Sequence, residues 1–370
     1  MESGGEKKNR DLLTMAVTII INLIIVAVIA VLEFGTDIRS AESVSIEDIR
    51  LRWLFVGIGA FVLALALEYG KYRRMIMALE GRDDKRGALE VAILGKYYDN
   101  ITPLGAGGQP FQIMYLKKRG MTPGTAAALP VAGFLTQQFA YVMIAIVVFI
   151  ANPGLMSDTP LIKASAYVGL VTYSVVPVAI VLFAVSPELI KRIVGGATRL
   201  LGKIGIVKDA ENAEKSVYSA LDEYVGSLKS LNSRPHFFFR LMVYSIIYQL
   251  AIMSIPYFVL RAFGGTTDWW TAFSLVVYIY AAITIIPTPG NSGAAEGSFY
   301  AVFSSLEGGF LFWAMLVWRG LVYYSWLLCG IIVLLTQKIS FRPPKKKPPE
   351  FGKLGVALLK GGLRVLLVEV

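Results

Sequence analysis

The sequence predicts an all-α polytopic transmembrane helix bundle of about six to eight spans. Two oppositely oriented, re-entrant broken-helix hairpins, arranged like an inverted repeat, complete the predicted fold. Three observations predict this fold class. Of the 370 residues, 55% are hydrophobic and 17% are charged, whereas soluble domains have about 45–50% and about 25%. The apolar residues form segments of about 20, the length of a membrane-crossing helix. Finally, Lys and Arg are concentrated in particular segments between them.

Seven apolar segments are candidates for membrane-crossing helices. The segment nearest the N-terminus lacks the small-residue cleavage pattern of a signal peptide, so we interpret it as a retained helix. The sixth segment runs into a cluster of Pro and Gly residues. The seven segments are residues 12–32, 53–69, 126–150, 164–185, 237–260, 269–286 and 311–335.

The distribution of Lys and Arg predicts that both termini are cytoplasmic. Of the 36 basic residues, 28 fall in five segments, residues 1–11, 71–86, 117–119, 186–236 and 338–370. Only five fall in the connections 33–52, 151–163 and 261–268. Because cytoplasmic loops are enriched in Lys and Arg, the first group is predicted to lie inside.

The same pattern predicts the domain organisation of a multi-pass plasma-membrane protein. Residues 1–11 form a cytoplasmic N-terminus, residues 12–336 a transmembrane domain, and residues 337–370 a basic cytoplasmic tail. The net charge of +10 is interpreted as a cytoplasmic face that meets anionic lipid. We expect no nucleic-acid partner.

This topology requires two segments to turn back within the membrane. Residues 87–116 lie between two cytoplasmic segments, and residues 269–310 begin and end outside. Each is interrupted by Pro and Gly, and irregular backbone at membrane depth is tolerated where protein or a cavity surrounds it. The alternative is a chain of eight plain spans in which both segments are ordinary proline-kinked helices.

The longest predicted cytoplasmic loop, residues 186–236, carries an amphipathic pattern. Its apolar residues recur at helical spacing, with charges between them, at Val217, Leu221, Val225 and Leu228. This pattern predicts a helix at the membrane interface, or one packed on the cytoplasmic ends of the bundle. About 50 residues are too few for a catalytic domain.

Several classes of chemistry are disfavoured by composition. Cys329 and His236 are the only residues of their kinds, which excludes an internal disulfide, a multi-Cys metal site and a His cluster. The sequence has no Walker A string. We therefore expect no metal, no cofactor and no enzymatic activity.

Polar residues in the broken segments form the candidate site. Placing a charged side chain at membrane depth costs about 2.5 kcal/mol or more, so such residues are candidates for a functional role. Here they are Lys96, Asp99, Glu296 and Arg319. A Glu296–Arg319 pair would either lock two helices together or meet an anionic headgroup. The fifteen site candidates for substrate binding or gating are Asn100, Thr102, Pro103, Gly107, Gly108, Gln109, Gln112, Gln137, Gln138, Pro287, Pro289, Gly290, Asn291, Glu296 and Arg319.

Glycines in the first broken segment suggest a way to bind an anion. Gly105, Gly107 and Gly108 would let backbone N–H groups approach a ligand closely. A short helix starting near Gln109 would favour a phosphate at its N-terminus. Gln137 and Gln138 lie near mid-depth of their span, where they would line the same cavity or hydrogen-bond to a neighbouring helix.

These motifs resemble the lysylphosphatidylglycerol synthase transmembrane-region family, also called the flippase-like domain, which is the membrane part of MprF-type proteins. The matching residues are Asn100-Ile101-Thr102-Pro103, Gly107-Gly108-Gln109-Pro110, Gly120, Pro287-Thr288-Pro289-Gly290, Gly293, Glu296, Arg319 and Tyr323. Many members have Glu and Arg where this chain has Gln109 and Gln112. Many also have an acidic–basic pair where it has Gln137 and Gln138.

The resemblance implies a lipid translocase whose substrate is a phospholipid or glycolipid with an aminoacylated, phosphate or sugar headgroup. We expect the chain to lack the soluble acyltransferase domain of the lipid synthases. A secondary transporter for a small solute or ion is one alternative. The other is a membrane subunit or scaffold of a phosphatidylglycerol lysyltransferase system. A homo-oligomer and a separate partner transferase are both compatible with these interpretations.

Overall fold

The computed structural model describes residue 47 and residues 49–337, with gaps at 106, 156–158, 186–234, 285 and 308. Within the third gap, only residues 218, 222, 225 and 226 are described. The predicted N-terminus, the first span and all but the first residue of the tail therefore lie outside the described residues. The amphipathic pattern in the cytoplasmic loop lies almost entirely outside them too.

The described part of the chain is helical and contains no strand, which confirms the all-α class. Two short 3-10 turns interrupt it, the first break at Pro103–Gly105 and the second break at Pro289–Asn291. A π-helical segment, Gly320–Tyr324, joins the last two helices. The helices are α1 (Leu51–Glu80), α2 (Lys85–Ile101), α3 (Gly108–Lys118), α4 (Pro123–Ala151), α5 (Pro160–Val185), α6 (Pro235–Ala262), α7 (Trp269–Ile283), α8 (Ala294–Phe303), α9 (Leu311–Arg319) and α10 (Ser325–Gln337).

Four helices of the described chain are long and apolar enough to cross a membrane. They are α1, α4, most of α6, and the continuous run of α9 and α10. Large apolar side chains such as Phe55, Ile150 and Phe239 are exposed on their outer faces. Extensive apolar exposure of this kind is typical of a surface that meets lipid. The protein is therefore a helical membrane protein with several spans.

Helix α1 is longer than its predicted span of residues 53–69. It continues to Glu80 and ends at Gly81, whose φ of 66° is the usual glycine C-cap conformation. Lys and Arg are good helix formers, so the loss of hydropathy after residue 69 does not end the helix. As a consequence Lys71, assigned above to a cytoplasmic segment, lies inside the bundle with 1% of its surface exposed.

Close helix packing depends on small residues. Helix α1 packs along α6, α5 packs against α7, and α2 lies between α1, α3 and α10. At Gly169 of α5, a Cβ atom would lie 1.9 Å from the carbonyl oxygen of Ala281 in α7. At Gly330 of α10, it would lie 2.3 Å from the ring of Tyr97 in α2. These glycines let neighbouring helices approach closely, as in other membrane bundles.

The start of α7 provides a test of this fold outside the site. The Asp268 carboxylate accepts a hydrogen bond from the Thr271 N–H at 3.1 Å, and its hydrogen bonds with Thr271 lower the pKa of Asp268. We expect Asp268→Ala to reduce stability by about 1 kcal/mol, whereas Asp268→Asn keeps the acceptor. Thermal unfolding in detergent measures both.

Acidification provides the matching control. Because the folded-state pKa of Asp268 is lowered, its charge stabilises the protein above the ordinary carboxyl pKa, and that contribution is lost as pH falls through the lowered value. The difference between wild type and Asp268→Asn should therefore shrink in acid. A difference that grows in acid would contradict the assignment.

Candidate functional site

The two breaks share one backbone conformation. Thr102 and Thr288, which precede them, are extended, with φ, ψ of −112°, 146° and −105°, 148°. Leu104 and Gly290 then occupy the left-handed region at 58°, 12° and 59°, 18°. Each break is closed by a hydrogen bond to its threonine carbonyl, 3.2 Å in the first break and 3.1 Å in the second. Each break begins at the proline of a Thr-Pro pair, Thr102-Pro103 or Thr288-Pro289, so the similarity in backbone conformation accompanies a short similarity in sequence.

The fold brings the two breaks together. They contact each other, and the second break also contacts α2. The Tyr323 hydroxyl, from the π-helical segment, donates to the Asn100 carbonyl at 3.3 Å. Residues 223 positions apart in sequence therefore meet in one region.

A cavity of about 580 Å³ lies between the breaks. Its wall combines amides, hydroxyls and aromatic rings with three charged side chains, Lys96, Asp99 and Arg319. Seven of the fifteen site candidates line it: Asn100, Gln109, Gln137, Gln138, Gly290, Asn291 and Arg319. The remaining candidates shape the breaks or lie behind the wall.

The backbone N–H groups of the glycines, which were expected from the sequence to bind a ligand, donate hydrogen bonds within the first hairpin instead. The Gly107 N–H donates to the Thr102 hydroxyl at 2.8 Å, and the Gly108 N–H donates to the Asp99 carboxylate at 2.9 Å. Gly105 donates to the Thr102 carbonyl. The N–H groups of Gly107 and Gly108 are therefore used inside the hairpin, and phosphate binding at the N-terminus of α3 stays a prediction.

Gln112 and the prolines have structural positions. Gln112 is 4% exposed and donates to the Tyr72 hydroxyl at 2.9 Å and to the Val91 carbonyl at 3.0 Å. Pro103 and Pro289 each begin a break, where a proline fixes φ and needs no hydrogen bond. Pro287 lies just before the second break and is exposed.

Glu296 and Arg319 form the buried ion pair that the sequence suggested. Glu296, in the first turn of α8, also accepts from the Gly293 N–H at 2.7 Å. Arg319 donates to the Gly290 carbonyl and the Ser292 hydroxyl, each at 3.3 Å. Its guanidinium carbon lies 4.3 Å from the centre of the Tyr323 ring. Arg319 therefore ties the second break to α9 while forming part of the cavity wall.

Four charged residues in or beside the cavity are absent from the fifteen site candidates. Lys96 and Asp99 line the cavity, although the sequence identifies them only as deep charges. Their i, i+3 spacing on one face of α2 is the signal that could have included them. Glu68 and Lys71 form a buried ion pair at 2.8 Å. For this pair, the sequence feature that could have indicated a site is that Glu68 interrupts an otherwise apolar run.

Within the residues that the structure describes, no three His, Cys, Asp or Glu side chains come together as a metal site would require.

Comparison with known proteins identifies the family. The family described as the lysylphosphatidylglycerol synthase TM region matches residues 15–330. The chain belongs to this family. The match includes both breaks and the cavity between them, and it confirms the resemblance seen in the motifs.

A curated relative supports the same assignment. The chain is similar to a UPF0104 membrane protein of Archaeoglobus fulgidus, with 24% identity over 248 residues. The similarity covers 66% of this chain and 74% of that protein.

Proposed function

We propose that this chain is a membrane lipid translocase that moves a polar-headgroup lipid between leaflets through the cavity between the two breaks. The observation that carries the proposal is the polar cavity of about 580 Å³ inside an apolar bundle. Its volume falls within the roughly 300–1,000 Å³ of typical small-molecule sites. The headgroup would pass through the cavity while the acyl chains remain in the bilayer.

The proposal includes two oppositely oriented re-entrant hairpins, α2–α3 and α7–α8, in a bundle of about six to eight spans. Support comes from helix length. These four helices have 17, 11, 15 and 10 residues, or about 15 to 25 Å at 1.5 Å per residue. A hydrocarbon core of about 30 Å needs more. Four half-crossing helices whose breaks meet would form an inverted repeat around a central site.

The cavity chemistry supports an anionic or zwitterionic headgroup, from the aminoacylated, phosphate and sugar classes. Lys96 and Arg319 supply cations, Asp99 supplies an anion, and five amide side chains supply donors and acceptors. Arg319 would contact a phosphate oxygen through its fork of N–H groups. Its pairing with Glu296 would keep it charged and oriented between transport cycles.

We propose that the chain transports its lipid without modifying it. Among the described residues that line the cavity there is neither Cys329 nor His236, the chain's one thiol and one imidazole. The proposal places the protein in the plasma membrane with both termini in the cytoplasm, as the distribution of Lys and Arg favours. Apart from the buried Lys71, basic residues in segments 71–86 and 117–119 would then meet anionic lipid.

Headgroup accessibility in vesicles tests the function. The purified protein is placed in phosphatidylcholine vesicles that contain fluorescent phosphatidylglycerol, lysyl-phosphatidylglycerol or a glycolipid, and a membrane-impermeant quencher reports inner-leaflet lipid. We expect at least one of these lipids to exchange faster than in protein-free vesicles. Exchange of all three at the protein-free rate would contradict the proposal.

Blocking the cavity gives a site-specific prediction. Gln138→Trp places a large ring in the cavity wall, so we expect translocation to fall toward the protein-free rate. Phe139→Trp is the matched control, because Phe139 is the next residue of α4 and lies outside the cavity lining. Equal translocation by the two variants would remove the cavity from the transport path, and thermal unfolding of both would show that the fold is retained.

A further inference from the structure

A second buried group of charges lies beside the cavity. Glu68 and Lys71 of α1 are 4% and 1% exposed, and their Oε2 and Nζ atoms are 2.8 Å apart. The Lys71 ammonium also donates to the Gln137 side-chain oxygen at 3.0 Å. Packing alone does not need a buried ion pair, because apolar residues of similar size commonly stabilise a fold as well or better. Ionisable residues inside a membrane protein instead often mark proton or ion pathways.

A small chamber lies between Glu68 of this pair and the cavity. The chamber has a volume of about 40 Å³, and Glu68, Tyr72 and Gln112 are among the residues that line it. Five residues line both the chamber and the large cavity: Lys96, Asp99, Gln109, Phe134 and Gln137. A buried water needs about 10–15 Å³. The chamber is therefore large enough for two or three water molecules between Glu68 and Asp99.

The Gln137 side chain gives independent evidence that the chamber contains a hydrogen-bond acceptor. This side chain is 9% exposed, and its oxygen accepts from Lys71. Its amide nitrogen is buried and has no hydrogen-bond partner among the residues that the structure describes. A buried N–H donor without a partner is unfavourable, and such groups are commonly satisfied by ordered water. A chamber water that accepts from Gln137 would be free to donate to the Glu68 or Asp99 carboxylate.

Two carboxylates and two ammonium groups lie around the chamber, so their charges balance. Helix α1 contributes Glu68, Lys71 and Tyr72, and α2 contributes Lys96 and Asp99. From α6, the Tyr248 ring faces Lys96, with its centre 5.0 Å from the Lys96 Nζ atom. Across the cavity, α5 and α7 present Tyr173 and Tyr280, and α9 presents Arg319. Helices α3 and α4 add amide, proline, glycine and phenylalanine residues to the chamber lining among the described residues.

We propose that this chamber is a proton relay, in which Asp99 binds one proton when an anionic cargo group in the cavity pairs with Lys96. Pairing with cargo would draw the Lys96 cation away from Asp99, which lines the same cavity and chamber. A hydrated proton in the chamber would then transfer to an Asp99 oxygen. One O–H bond of the hydrated proton breaks, one carboxyl O–H bond forms, and a neutral water remains. Glu68, held by Lys71, would keep the chamber hydrated and receptive to a positive charge.

The relay would make translocation proton-coupled. Its cargo rests on the proposed function, whereas its proton-binding site does not. Asp99 is the natural carrier because it lines both spaces, while Glu68 lines only the chamber. The N–H of Gly108 hydrogen-bonds the Asp99 carboxylate, so the same residue connects proton binding to the first break.

Infrared difference spectroscopy tests the proton site directly. The probe is protein in phosphatidylcholine vesicles, with and without phosphatidylglycerol, titrated with acid. We expect a carbonyl band of a protonated carboxyl group that phosphatidylglycerol shifts to higher pH. Asp99→Asn should remove the band, because asparagine keeps the hydrogen bond from Gly108 but binds no proton. Asp83→Asn, at a surface pair with Arg73, should leave it intact. A band that survives Asp99→Asn, or no band at all, would overturn the relay.

Proton flux tests the coupling. With a trapped pH-sensitive dye, wild-type vesicles should acidify in step with lipid translocation, and Asp99→Asn should lose this proton flux. Glu68→Gln/Lys71→Met removes the ion pair without leaving a single buried charge, and it should slow proton uptake while the protein stays folded. Lipid movement without an Asp99-dependent band overturns the relay alone. An Asp99-dependent band without movement of any lipid overturns the translocase and leaves the proton site standing.

Discussion

Replacing Glu296 by glutamine is expected to destabilise the protein by about 3–5 kcal/mol, the usual cost of removing one partner from a buried ion pair. Arg319 would remain charged, with 5% of its surface exposed. Glutamine keeps an acceptor for the Gly293 N–H, so the change isolates the effect of charge. Unfolding by heat or denaturant in detergent measures the loss. We also expect translocation to fall, because Arg319 would no longer be oriented toward the cavity.

A double variant separates folding from transport. Glu296→Gln/Arg319→Met removes both charges and should recover much of the lost stability, whereas translocation should stay low because Arg319, one of the two cations that line the cavity, is gone. The Arg73–Asp83 pair gives the matched surface control, with side chains about one third exposed. Asp83→Asn should change stability little, because exposed ion pairs contribute little. Recovery of transport by the double variant would show that the Glu296–Arg319 pair only locks two helices together.

Much of the fold follows from local sequence. Apolar segments of membrane-spanning length locate α4, α6 and the α9–α10 run, and the structure confirms each as a long apolar helix. The two breaks can also be predicted from the sequence, because Pro103 and Pro289 with neighbouring glycines cannot continue a helix. Both are local properties of a few adjacent residues. The number of spans and the re-entrant arrangement stay predictions.

Helix ends and charge placement are harder to infer. Hydropathy falls after residue 69, yet α1 continues to Glu80 because helix propensity, rather than apolar character, decides where it ends. A Lys after an apolar run is usually at the membrane surface. Lys71 is buried because Glu68, one helical turn earlier, supplies the opposite charge. That partnership depends on tertiary packing by α4, which the sequence of α1 does not reveal.

The sequence predicts only part of the candidate site, for a similar reason. Depth and polarity identify Asn100, Gln137 and Arg319, which line the cavity. Gly107 and Gly108 are candidates for a different reason, the close approach that a glycine backbone permits, and their amides are used inside the turn. Sequence shows that glycine permits a close approach, but it does not show what approaches. Here the approaching groups are the Thr102 hydroxyl and the Asp99 carboxylate of the same hairpin.

The second break depends on a glycine that no other residue should replace. Gly290 has a φ of 59°, and a Cβ atom there would lie 2.1 Å from the Tyr323 ring. Gly290→Ala should therefore combine the roughly 1–2 kcal/mol of left-handed strain with a steric clash that forces the break away from the π-helical segment. We expect lower thermal stability and loss of translocation, since the break forms part of the cavity wall.

Gly293→Ala separates these two causes. Gly293 has a φ of 83°, and among the described residues no atom lies within 4 Å of the position that a Cβ atom would take, so this variant should show backbone strain without the clash. Tyr323→Ala removes the ring, and in the Gly290→Ala background it should recover the part of the loss that exceeds strain. A double-mutant cycle on unfolding free energies measures that coupling, which should reach about 0.5–3 kcal/mol for residues in contact. The contrary result would be an equal loss of stability for Gly290→Ala and Gly293→Ala, with no coupling to Tyr323. It would mean that backbone strain alone matters, and that the contact between the second break and Tyr323 does not hold the cavity together.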